Sequence, residues 1–159
     1  IYKIIPECQT NFVFAKKNPK NITDVLGISG RLVKSGKEVV TAGEIVYGGS
    51  QHVGTAVIQV NKKFPEVRSG INIKYDPKII AKAKKSKFTV LSYDRSKEPK
   101  KSKQKENSSI SWGISNTLNA KSPDIIYHKG DVGKEPMILI FGNNPDDVIR
   151  KVSKFTPFH

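Results

Sequence analysis

Four short segments of this 159-residue chain concentrate residue types that act on anions. In Gly48-Gly49-Ser50-Gln51-His52 two glycines let the backbone approach a ligand closely, and the helix that follows offers free N–H groups and the positive end of its dipole. His52 sits where a helix N-terminus disfavours the imidazolium, and its ring would lie beside an incoming phosphate. The plainer readings are a glycine turn and a capping or surface histidine. Gly30-Arg31 opens a strand. Arg68-Ser69-Gly70-Ile71-Asn72 places Arg68 and Ser69 ahead of another strand, with Asn72 alternating against apolar neighbours. Gly130-Asp131-Val132-Gly133-Lys134-Glu135-Pro136 holds two carboxylates and a lysine, so Asp131 and Glu135 could take Mg²⁺ while Lys134 reaches a phosphate. It is not a Walker A loop, because Gly133-Lys134 runs into Glu135 and a proline.

The charge is informative through its distribution. Lys+Arg 28 against Asp+Glu 14 gives a net charge of +14 and a pI near 9.9. All but four of the 28 are lysines, gathered in polar runs at Lys16 to Lys20, Lys82 to Lys87 and Lys97 to Lys105. A nucleic-acid surface would interleave such charges with aromatics, and these runs do not, so they read as solvated surface and a mobile polar loop. Three of the four arginines, Arg31, Arg68 and Arg95, fall instead in site-like loops, where a planar guanidinium binds phosphate or carboxylate bidentately. The alternative is a structural pair with an acid; for Arg95 the adjacent Asp94 is the nearest partner.

Other chemistries find no support. Cys8 is the single cysteine, so no internal disulfide can form, and His52, His128 and His159 stand too far apart for a zinc site of usual spacing. There is no GxSxG elbow, no HxH pair and no GxGxxG. No apolar run approaches the roughly 18 residues a membrane span needs, and no secretory leader is recognisable. The expected setting is the cytoplasm, and the absence of an initiating Met suggests a chain cut from a longer polypeptide. Oligomeric state is open, and a homo-oligomer is compatible with the sequence.

The elements that must position these loops alternate. Asn11 to Ala15, Arg31 to Val33 and Glu38 to Ala42 read as strands, the last two joined by a hairpin turn at Ser35-Gly36-Lys37. Val53, Ala56, Val57, Val60 and Phe64 make one helical stripe, with Ser50 as N-cap and Pro65 beyond the end. Ile71 to Tyr75 is a strand and a Lys-rich helix starts at Pro77. Phe88 to Tyr93 is a strand, Ser111 to Ala120 a short helix, and Ile125 to Tyr127 and Met137 to Phe141 are strands. A last helix runs from Pro145, with Asp146 and Asp147 in its first turn. This interleaving predicts one α/β domain over residues 1–159, three-layer α/β/α with a mixed sheet.

The segments IPECQTNF, GRLVKSG, GGSQHVG, RSGINIKY, SYDR with EP, SWG and PDIIYHKGDVGKEPMILIFG, in that order, resemble the ThiN-type thiamine-phosphate synthase domain of archaea, from about Ile5 to Val152. The resemblance implies a three-layer fold and a transferase that joins aminopyrimidine-methyl diphosphate to hydroxyethylthiazole phosphate, giving thiamine phosphate and diphosphate. It implies Arg31 and His52 as the catalytic pair; for that chemistry the expected roles are Arg31 gripping the diphosphate and His52 giving a proton or hydrogen bond to the leaving oxygen. Gly49, Ser50, Gln51, Arg68, Ser69, Asn72, Asp94, Arg95 and Lys134 are the expected substrate contacts, and Mg²⁺ on Asp131 and Glu135 the expected metal. Gln51 stands where the family usually has Arg, and Gly70-Ile71 where it usually has Ala-Met. The expected partners are small phosphorylated substrates and a fused N-terminal hydroxymethylpyrimidine kinase domain, with neither membrane nor nucleic acid. The other reading is a thiamine-phosphate-sensing domain of a transcriptional regulator, which Arg31 and His52 disfavour.

Overall fold

Met137–Gly142 is buried at every position, which a strand can be only where both faces of its sheet are covered. In the computed structural model, which describes residues 2–103 and 107–156, this segment is β9 and lies inside a seven-stranded sheet. The preceding strands are β1 (Phe12–Ala15), β2 (Val25–Ile28), β3 (Leu32–Ser35), β4 (Glu38–Thr41), β5 (Ile45–Tyr47), β6 (Ser69–Lys74), β7 (Val90–Ser92) and β8 (Ile125–His128). The helices are α1 (Gln51–Asn61), α2 (Pro77–Lys85), α3 (Lys100–Lys103), α4 (Ser108–Thr117) and α5 (Pro145–Phe155).

The sheet order is β5-β2-β1-β6-β9-β8-β7. Neighbours are antiparallel except β7 and β8, which pair in parallel. The sheet is therefore mixed, as expected. On one face Val53, Ala56, Val57 and Val60 of α1 pack with Ile110 and Ile114 of α4 over Val13, Leu139 and Phe141. On the other, Ile79, Ile80 and Ala83 of α2 and Val148, Val152 and Phe155 of α5 cover Ile73, Ile138 and Ile140. That is the three-layer arrangement. β3 and β4 form a separate hairpin, whose two-residue loop begins with Gly36 at φ +60°, a value that favours glycine.

Helix starts follow their caps. The Asp76 side chain accepts from Lys78 N–H ahead of Pro77, and the Asn144 side chain accepts from Asp147 N–H ahead of Pro145. Ser50 is the N-cap of α1, although its hydroxyl makes no capping bond. Several expectations shift. α4 begins at Ser108 rather than Ser111. The strand expected over Phe88 to Tyr93 shortens to β7, because Phe88 N–H closes the end of α2 on the Ala83 carbonyl and Thr89 N–H donates to Asp124. β2 and β5 were not expected. Each is short and touches glycines, so neither shows an apolar period. The Lys97–Lys105 run carries the one-turn helix α3; its residues 104–105 and His159 lie outside the described residues.

Candidate active site

The start of β1, the ends of β2, β6 and β8 and the start of β9 meet at one end of the sheet, since antiparallel pairing brings starts beside ends. There the N-terminus of α1, the turn after β2 and the β8–β9 loop surround a cleft of about 1160 Å³. Arg31, Gly49, Ser50, Gln51, His52, Asn72, Arg95, Asp131, Lys134 and Glu135 all line it. Three expected contacts are elsewhere.

Arg68 precedes and Ser69 begins β6, four and three residues from Asn72, or about 13 and 10 Å along the strand. Arg68 donates from Nε to the Ala15 carbonyl (3.0 Å) and lies over the Phe14 ring, while Ser69 donates to the Val13 carbonyl (2.8 Å). Both fasten β1 to β6 at the far end of the sheet, so the structure does not bring them to the cleft with the other expected contacts. Asp94 does not line the main cleft either. It accepts from Ser96 N–H (2.9 Å) and Oγ (2.7 Å), capping the 3-10 turn Arg95–Lys97, and borders a shallower hollow.

Arg31 is held in the left-handed region, φ +76°, which a β-carbon disfavours. Gly30 sets this up: a Cβ there would fall 1.3 Å from the Ala42 carbonyl oxygen, so the turn closes only on glycine. The Arg31 side chain is exposed and donates from Nη1 to the Cys8 carbonyl (2.9 Å). Gly49 is equally constrained, its Cβ position being 2.4 Å from the Gly27 carbonyl oxygen. It leads through Ser50 into α1, where His52 occupies the first turn.

His52 Nε2 is buried with no hydrogen-bond partner, and so is Arg95 Nε; they alone have that status among buried side-chain N and O atoms of the described residues. Buried polar atoms are seldom left unmatched, and two at one cleft mark where a ligand would complete them. The His52 pKa falls from 6.5 to about 4, first through burial and then through the positive charges of Arg95, Arg31 and Lys134. The imidazole is thus neutral at pH 7, and three cations line the same cleft. Arg95 itself is buried and pairs with Glu98 (Nη2–Oε2 3.7 Å), not with Asp94; Glu98 in turn accepts from Ser109 Oγ.

His128 was not among the expected site residues. It ends β8, 2% exposed, and lines the cleft. Its Nδ1 accepts from Gly130 N–H (3.1 Å), which leaves the ring proton on Nε2. Its pKa falls to about 3, through burial first, then Arg95 and His52. The available signal was a titratable residue closing the otherwise apolar strand IIYH. Asn11 was missed too. Its amide accepts from Ile28 N–H (3.0 Å) and donates to the Ile28 carbonyl (2.6 Å). Asn72 accepts from Asn11 N–H (2.7 Å) and donates to the Gln9 carbonyl (2.9 Å). Asn72 therefore borders the cleft chiefly as part of its floor.

Of the expected Mg²⁺ pair, Glu135 is already engaged with the backbone. Glu135 spends both carboxylate oxygens on the N–H groups of Glu7 and Cys8, each at 3.0 Å. No group of three His, Cys, Asp or Glu side chains among the described residues could hold a metal ion.

A three-layer α/β domain whose cleft joins a helix N-terminus, three cations and two neutral imidazoles is organised for small, multiply charged anions. Comparison with known proteins narrows that class. The family model for Thiamine-phosphate synthase ThiN matches residues 1–154, and the chain belongs to this family of transferases. It is 39% identical over 147 residues to Thiamine-phosphate synthase ThiN of Methanothermobacter thermautotrophicus, covering 91% of this chain and 77% of that protein. It is 37% identical over 156 residues to the bifunctional thiamine biosynthesis protein ThiDN of Methanocaldococcus jannaschii, covering 95% of this chain but 36% of that protein. The crystal structure of the C-terminal domain of a phosphomethylpyrimidine kinase superposes with a TM-score of 0.91 at 43% identity, over 98% of this chain and 89% of that one.

Proposed function

We propose that the cleft catalyses thiamine-phosphate synthesis: the thiazole nitrogen of hydroxyethylthiazole phosphate attacks the methylene carbon of aminopyrimidine-methyl diphosphate. The C–N bond forms, the C–O bond breaks, and diphosphate leaves with the electron pair; the thiazolium cation balances the charge, and no proton need move. The observation that carries this reading is the convergence of Arg31, Arg95 and Lys134 on His52 at the N-terminus of α1. Preorganised positive groups stabilise the charge that builds on a departing diphosphate. Arg31 takes the diphosphate by its planar fork, with the α1 N-terminus at Gly49, Ser50 and Gln51 and the Lys134 ammonium as further contacts. His52 serves as a neutral hydrogen-bond donor rather than a proton donor, since a group titrating near 4 carries no spare proton at pH 7. Arg95 and Asn72 face the remainder of the substrates.

Any Mg²⁺ that accompanies the diphosphate is held in this reading by the ligand's own oxygens and water. The bifunctional relative and the kinase C-terminal domain support a fused N-terminal kinase domain, which would supply the pyrimidine substrate at hand. No described helix is long and apolar enough to cross a membrane, and a cytoplasmic setting is part of the proposal.

Incubation with both substrates and Mg²⁺ should yield thiamine phosphate and diphosphate in equal amounts. His52→Ala should slow a single turnover by about a hundredfold, the usual cost of one such donor. Tight binding of thiamine phosphate without turnover would favour the sensing role, and wild-type rates in His52→Ala would overturn the assignment.

A further inference from the structure

Glu135 is a carboxylate in a cleft built of cations, yet it contacts none of them through a hydrogen bond. It reaches across the cleft mouth to a tight turn at the other end of the chain. In that turn Gln9 N–H donates to the Pro6 carbonyl (3.0 Å) and Gln9 is held at φ +69°, unusual for a residue with a side chain. The turn aims two successive N–H groups the same way, and Glu135 accepts both, Glu7 N–H on Oε1 and Cys8 N–H on Oε2. The next peptide unit, Cys8–Gln9, whose N–H is the one bound to the Pro6 carbonyl, presents the Cys8 carbonyl, which receives Arg31 Nη1 at 2.9 Å. Thus a chain of contacts runs from the β8–β9 loop through residues 7–9 to the guanidinium.

We propose that Glu135 is a positioning residue: by clamping the Glu7–Cys8 backbone it places the Cys8 carbonyl that orients Arg31 toward the diphosphate. This rests on the catalytic reading above. Arg31 needs such support because its side chain is exposed, with a flexible stem and several competing rotamers. One of its five N–H donors fixes the direction of the fork. A carboxylate placed directly on the guanidinium would orient it too, but would cancel the charge the leaving group needs. Routing the contact through neutral peptide groups keeps the charge. Burial acts to raise the Glu135 pKa, and the N–H groups of Glu7 and Cys8 outweigh it, so the clamp stays ionised across the neutral range. The loop bearing Glu135 closes tightly on Gly130, where a Cβ would sit 2.3 Å from the Lys134 carbonyl oxygen.

Cys8 provides a reporter, being the single cysteine. Its thiol is pushed up to about 11, first by burial and then by Glu135. Loss of the Glu135 carboxylate should therefore speed its alkylation, which reports that the carboxylate sits at this turn.

The test is a double-mutant cycle on the full chain, read by the affinity for inorganic diphosphate and by iodoacetamide alkylation. Glu135→Gln keeps the size of the side chain but turns an amide NH₂ toward one backbone N–H. It should weaken diphosphate binding by about tenfold, the worth of one charge-assisted hydrogen bond. Arg31→Ala should weaken it at least as much, and the double variant no further, because the first residue acts through the second. Alkylation of Cys8 should accelerate in Glu135→Gln with or without Arg31. Additive losses, unchanged affinity in Glu135→Gln, or weakened binding with unchanged alkylation would each overturn the proposal. Since the probe is inorganic diphosphate, these results stand apart from turnover: absence of thiamine phosphate from the wild-type chain would remove the catalytic reading and leave the cycle readable.

Discussion

At one end of the central sheet the Lys151 ammonium, 7% exposed, donates to the Phe141 carbonyl (2.7 Å) and pairs with Asp124 (2.7 Å) and Asp147 (3.3 Å). At the other end Arg95 and His52 each keep a buried nitrogen with no partner. Both ends bury polar groups beside the same strands, β6 and β9. The difference lies in whether the chain itself completes them. Lys151, Arg68 and Ser69 are matched to carbonyls and carboxylates, which fixes the strands and leaves nothing to offer a ligand. The cleft end carries mismatched donors and cations, together with three of the five non-glycine residues at positive φ among the described residues: Gln9, Arg31 and Asn107. Unmatched charge and backbone strain destabilise a fold and persist where the surrounding structure over-determines them, commonly at functional sites.

Substitutions at the two ends should therefore separate rate from stability. Arg31→Ala removes an exposed side chain that donates to the Cys8 carbonyl. It should cost about 10²- to 10³-fold in kcat, or about 3 to 4 kcal/mol of transition-state stabilisation, and leave the thermal midpoint within a degree or two. Steady-state kinetics beside a melting curve would show this; a large drop in midpoint with a normal rate would reverse the assignment of the two ends. Lys151→Met is the mirror case. It strands Asp124 and Asp147 near each other and leaves the Phe141 carbonyl without its donor, so about 3 kcal/mol of stability should go. Activity per folded molecule should hold, as urea unfolding and active-site titration would report.

Acid sharpens the contrast, because the cleft end holds two histidines forced neutral. His52 and His128 titrate near 4 and near 3 when folded, against an ordinary 6.5. Below pH 6.5 the unfolded chain binds protons that the folded chain refuses, so stability present above 6.5 is lost as pH falls. Two histidines at about 1.4 kcal/mol per unit give about 2 kcal/mol between pH 6 and pH 5, before the carboxylates begin to protonate. A urea midpoint that stays flat over that unit, or recovers nothing in His128→Asn, would show that the rings are not held as described. The rate in turn should show no histidine inflection between about pH 5.5 and 8.

How far the sequence reveals these two ends differs. The α1 stripe, the helix starts at Pro77 and Pro145 and the strand over Met137 to Phe141 are local, and each was legible from spacing and residue type. β5, with Ile45 71% and Tyr47 50% exposed, has no apolar alternation to read. The motif loops at Arg31, His52 and Lys134 were legible because small and charged residues break the apolar pattern there. His128 and Asn11 were not, since a histidine ending an apolar strand joins a site only through strand order, which is a non-local property. Glu135 shows the same limit from the other side: its type and loop suggested a metal ligand, while its partners lie 127 and 128 residues away.

Arg68 gives the smallest and most discriminating test, because the sequence offers no reason to separate it from Arg31 or Arg95. Its Nε reaches the Ala15 carbonyl and its guanidinium covers Phe14, so the side chain works as a brace between β1 and β6. Arg68→Met retains much of the stem that packs on the ring and loses one hydrogen bond to a charged donor, which places the cost at about 1 kcal/mol. Diphosphate affinity and kcat should be unchanged, since the cleft lies at the opposite end of β6. A tenfold loss of substrate affinity in Arg68→Met, with stability intact, would mean that substrate extends along the sheet to the end described here as purely structural, and the division between the two ends would fall with it.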